Sequence, residues 1–156
     1  MRVIRHGDSF LLYLVRQEKN LLFDLLKLYP QIPVGHFPLS KGGRVPEPEA
    51  NQRLLEEALA EQRKANKSQL QAFLSDPKRC EPTEPGFRLR LSEAELEWLL
   101  QMLNDIRIGS WIRLGSPEEG QEMTRLEPRT MPFFWAMELA GDIQIVLVRA
   151  LARGKP

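Results

Sequence analysis

Ser92-Glu93-Ala94-Glu95-Leu96-Glu97-Trp98-Leu99-Leu100-Gln101-Met102-Leu103-Asn104-Asp105-Ile106-Arg107-Ile108-Gly109-Ser110-Trp111-Ile112-Arg113-Leu114-Gly115-Ser116-Pro117 carries its own start and stop signals. Serine followed three residues later by glutamate is a capping box, which satisfies the free amides of a helix N-terminus. Gly115-Ser116-Pro117 ends the run, since glycine closes helices and proline cannot continue them. A helix is therefore expected over about Glu93 to Leu114. Immediately before it, Phe87-Arg88-Leu89-Arg90-Leu91 alternates apolar and basic residues, the period-two pattern of a half-buried strand.

Working outward, stretches 2–5 and 9–13 flank His6-Gly7-Asp8 and read as a hairpin that this strand can join. From Gln17 the spacing turns helical, with Leu21, Leu22, Leu25, Leu26 and Leu28 on one face, and Pro30 stops it. Residues 30–48 and 75–86 are proline-rich and read as loops. Between them, Glu49 to Leu74 has the composition of a long helix with a polar middle, which projects from the core, bends or breaks. Residues 115–131 form a connector with room for a helical turn around 118–126. Pro132 to Ala152 is the last helix, apolar almost all round, followed by a frayed 153–156. A helix of that kind is central in its fold or shared with a second subunit. The expected architecture is mainly α with a small β element: one globular domain over 1–156, about four helices packed with an N-terminal hairpin and a third strand.

The composition excludes more than it assigns. The 156 residues suit one domain, and 22 Lys+Arg against 21 Asp+Glu leave a net charge of +1. That balance gives no electrostatic footprint for nucleic acid. One cysteine allows no disulfide within the chain, and two histidines, His6 and His36, have no metal-ligand spacing. Neither catalytic residues nor metal ligands nor a cofactor motif can be named. Cys80 beside Lys78-Arg79 has neighbours able to lower its thiol pKa, yet no base accompanies it. Gly42-Gly43 lacks the strand, helix and Lys-Ser/Thr of a phosphate loop and reads as a turn. The basic N-terminus lacks the apolar stretch of a secretory signal. Glu138, Asp142 and Arg149 argue against a membrane span over 131–151, so a cytoplasmic protein is expected.

The order Trp98-Leu99, then Leu103-Asn104-Asp105, Arg107 and Arg113-Leu114-Gly115 resembles the signature helix of an uncharacterised bacterial family, domain of unknown function 2017. The resemblance extends to Gln144-Ile145-Val146-Leu147-Val148-Arg149-Ala150-Leu151, similar to that family's closing helix, and it covers about a third of the chain. It implies a small, mostly helical protein with no established activity. Family members are often encoded beside ClpS, the adaptor of the Clp protease, so the resemblance also implies a place near regulated proteolysis.

The residues that invite a role are Asn104, Asp105, Arg107 and Arg113. Asn104 and Arg107 share a helix face, while Asp105 lies about 100° round it with Gly109. Two readings stand. Either they form an internal polar network, with Glu138, Asp142 or Gln144 as partners, or Arg107 and Arg113 clamp an anion. The first reading leads to a non-enzymatic interaction or regulatory module. It is expected to be a homodimer through Phe134, Trp135, Ile145 and Val148 on the last helix, with ClpS or another Clp component as a partner. The second leads to a small-molecule or anion-binding protein, or enzyme, with a pocket between the Asn104–Arg107 helix and loop 30–48, using Asp105, Arg107 and His36. A weak DNA-binding regulator is a third, resting on Arg2, Arg5, Arg88 and Arg90 on the sheet.

Overall fold

The computed structural model describes residues 1–36, 47–118 and 127–153. It has the expected class, mainly α with a small antiparallel sheet. β1 (Arg2–His6) and β2 (Ser9–Leu14) form the hairpin, with Gly7 in the left-handed region at the turn. α1 (Arg16–Leu26) and α2 (Pro48–Ser75) follow, then β3 (Cys80–Pro82), β4 (Phe87–Ser92), α3 (Glu93–Arg113) and α4 (Met131–Ala152). The sheet order is β1-β2-β4-β3, antiparallel throughout.

β4 takes the expected third-strand place beside β2, with Phe10 opposite Leu91 and Leu12 opposite Leu89. Those side chains, with Leu14, point into the core and are fully or almost fully buried. The period-two alternation puts Arg88 and Arg90 on the other face, in line with Tyr13 and Leu11. β3 corrects the reading of 75–86 as pure loop. Two prolines within six residues mask a strand of three, and Pro82 is tolerated because β3 lies at the sheet edge. α2 begins at Pro48, which belongs to the helix rather than to the preceding loop, and it runs unbroken through its polar middle. Its C-terminal end docks through Leu70 and Phe73, with Phe73 stacked 5.6 Å from Trp98, while Leu54 near its start stands exposed.

The capping box forms as read. Ser92 Oγ accepts from the Glu95 amide at 3.1 Å, and the Glu95 carboxylate accepts from the Ser92 amide at 2.9 Å. Ser92→Ala should lower stability by about 1 kcal/mol, read as a melting temperature a few degrees lower. An unchanged melting temperature would mean that the box adds nothing to the folded state.

The central helix is α3, not α4. Leu96, Leu99, Leu103 and Ile106 of α3 are fully buried, with Met102 almost so, between the sheet, α1 and α4. α4 buries only one side, through Ala136, Ala140, Ile143 and Leu147. By length and composition it is apolar enough to cross a membrane. The proposed helical turn at 118–126 falls almost wholly outside the described residues, as do most of loop 30–48 and the chain end after Arg153.

Candidate functional site

Asp105 sits on α3 where the chain leaving α1 folds back across that helix. Its carboxylate Oδ1 accepts hydrogen bonds from the backbone amides of Gln31, at 2.6 Å, and Ile32, at 3.4 Å. One turn further, Gly109 lets the same two residues lie directly on the helix backbone, because any Cβ there would collide with Gln31 and Ile32. From the other side Arg63 of α2 donates to the Ile32 carbonyl at 3.1 Å, and Asn66 donates to the Tyr29 hydroxyl at 3.2 Å. Acid, glycine, arginine and asparagine together clasp residues 29–32 between α2 and α3. Burial pushes the Asp105 carboxyl above its ordinary value, while the Gln31 and Ile32 amides and the Arg63 guanidinium pull against it.

Asp105 thus has internal partners, but not the expected ones. Glu138 and Asp142 are corrected as partners, because both are exposed on α4 and Asp105 takes its hydrogen bonds from backbone amides instead. Gln144 is half-buried, and the Asp105 carboxylate bonds Gln31 and Ile32 in its place. Asn104 and Arg107 do share a face, and Arg107 donates to Asn104 Oδ1 at 3.1 Å. The Arg107 side chain runs past Gly141 of α4 and stays exposed. Arg113 stacks on the Phe133 ring, 5.5 Å from its centroid. The two arginines are not brought together with Asp105.

A cleft of about 200 Å³ does lie between residues 29–36, α2 and α3. His36, Leu59, Arg63, Gln101 and Asp105 are among its lining residues, whereas Asn104 and Arg107 are not. Several of its polar side chains are engaged within the fold, as the clasp shows for Asp105, Arg63 and Asn66, and Gln52 donates to Glu56 at 3.2 Å.

The other candidates disperse. His6 is exposed beside the hairpin turn, its carbonyl accepting from Ser9 Oγ. Trp98 is core, Trp111 is bonded to the Pro117 carbonyl, and Trp135 is exposed, so the three tryptophans line no common pocket. Burial outweighs Lys19 and Arg79 at Cys80 and raises its thiol pKa, the reverse of activation. On the sheet, Arg5 leaves the basic face to stack on Phe10 and reach Glu93, and Arg88 is paired with Glu81. Among the described residues no cluster of His, Cys, Asp and Glu could hold a metal.

The outward side of α4 carries several large apolar side chains in solvent. Trp135 is 63% exposed, Ile145 50% and Val148 52%, while Phe134 is half-buried and stacks edge-on against Trp135. Three of the four residues expected at an interface therefore stand in solvent on the outward side of α4.

Fold and surface together define a mainly α domain with a one-sided sheet and an exposed apolar helix face. No protein-family model, curated protein or solved structure matches the chain.

Proposed function

We propose that this protein is a non-enzymatic interaction module that works as a homodimer through α4. The observation that carries this reading is the outward face of α4. Large apolar side chains at Trp135, Ile145 and Val148 are left half-exposed or more on a helix whose other side is in the core. Scattered apolar residues are normal on a surface, but three on one helix face within about 20 Å form a patch with a use. Glu138, Asp142 and Arg149 lie on the same side and favour a protein partner over a bilayer, where each charge is costly. The clasp around Asp105 supports the reading from the other direction, since its ionisable groups are occupied in holding a loop.

Light scattering on the eluting peak of a gel filtration run tests the proposal. A dimer mass is expected at about 100 μM, because one helix per subunit is a small interface and small interfaces give weak association. Trp135→Glu should shift the mass toward the monomer. A wild-type monomer at that concentration removes the reading. A role beside ClpS rests on the family resemblance alone. Purified ClpS retained by the immobilised chain above a blank matrix is its test, and no retention removes it.

A further inference from the structure

Trp135, Glu138, Asp142, Ile145, Arg149 and Ala152 are spaced 3-4-3-4-3 along α4, and all six are exposed. That spacing is the seam of a two-helix coil, in which every third and fourth residue faces a partner helix. In the neighbouring row Phe134 and Gly141 are half-buried, and Gly141 lies beside Arg107 of α3, so that part of the row is less free to receive one. Among the described residues Glu138, Asp142 and Arg149 have no ion partner within the chain.

We infer that the occupant of this seam is α4 of a second copy, running antiparallel and centred between Ile143 and Gln144. The inference rests on the homodimer reading and fixes its geometry. Reversed on itself in that register, the stripe is its own complement. Trp135 meets Ala152 of the second copy, the largest residue against the smallest. Glu138 meets Arg149, acid against base, and two-fold symmetry makes that pair twice. Asp142 meets Ile145 at the centre, with the guanidinium of Arg149 one turn away. A parallel pairing instead sets Glu138 on Glu138, Asp142 on Asp142 and Arg149 on Arg149. Three layers of like charge oppose it, so the charges select orientation as well as partner.

The test uses the full chain. Glu138→Arg and Arg149→Glu should each weaken self-association about tenfold or more, since each places like charges together at two sites. The combined Glu138→Arg/Arg149→Glu chain should recover most of the loss, because it restores both pairs with the signs exchanged. All three variants change exposed residues, and equal melting temperatures at monomer concentrations will separate association from folding.

Oxidative cross-linking reads the register independently. With Cys80→Ser as background, Glu138→Cys/Arg149→Cys should give a covalent dimer. Either cysteine alone should not, because each then lies about 16 Å from its own symmetry mate, too far for a disulfide. A dimer that ignores the charge changes and does not cross-link overturns this register while leaving the homodimer reading intact. A monomer at about 100 μM overturns both. A monomer that floats with lipid vesicles replaces them with a membrane-facing helix.

Discussion

Gly109→Ala should destabilise the protein by about 3 kcal/mol, which for a chain of this size lowers the melting temperature by roughly 10 °C. Elsewhere in a helix the same change is favourable, because glycine costs up to about 1 kcal/mol relative to alanine. At Gly109 the added methyl has nowhere to go. It meets the backbone of Gln31 and Ile32, and those residues are pinned by Asp105 and Arg63, so neither side can yield cheaply. Gly141→Ala supplies the contrast within one protein. A methyl there finds only the flexible Arg107 side chain, at 3.7 Å, so the change should be neutral or stabilising. Thermal or urea unfolding of both variants at low protein concentration is the measurement. Equal effects at the two glycines would mean that the loop does not rest on α3 as described.

The architecture was legible where local signals agree with one another. The capping box, the glycine and proline stops and the alternation at Phe87–Leu91 each depend on nearest neighbours, and each element stands where it is read. β3 was not legible, because an edge strand of three residues ending in proline takes its hydrogen bonds from a partner rather than from its own composition. Nor could composition rank α3 and α4. Both are apolar, and only packing shows that the helix carrying Asn104, Asp105 and Arg107 is the buried one. The polar network was half legible. Asp105 and Gly109 one turn apart on one face are the mark of a close backbone approach, but its occupants, Gln31 and Ile32, lie more than seventy residues away in sequence. Charge in the sequence points to Glu138 and Asp142, because side chains advertise charge and backbone amides do not. The 3-4-3-4-3 stripe on α4 was present in the sequence but hidden among apolar residues at the other positions. Burial of Ala136, Ala140, Ile143 and Leu147 separates it from them.

Asp105→Ala should cost about 2–3 kcal/mol, because it strands the amides of Gln31 and Ile32 in a half-buried place with no acceptor. Asp105→Asn retains one carbonyl oxygen and should cost less, about 1 kcal/mol. The pair also has a pH signature. Burial raises the Asp105 pKa above its ordinary 3.8, so the folded chain holds this proton more tightly than the unfolded chain does. The contribution of that titration to stability is complete below 3.8 and is lost as pH rises through the higher folded value. Asparagine does not titrate. The stability of the wild type minus that of Asp105→Asn should therefore fall as pH climbs from about 4, and level off once the carboxyl is ionised in both states. Urea unfolding of the two proteins across pH 4 to about 7 gives this difference directly, and the other carboxylates cancel in it. A difference that grows with pH would show that the Gln31 and Ile32 amides and the Arg63 guanidinium together stabilise the carboxylate more than burial penalises it.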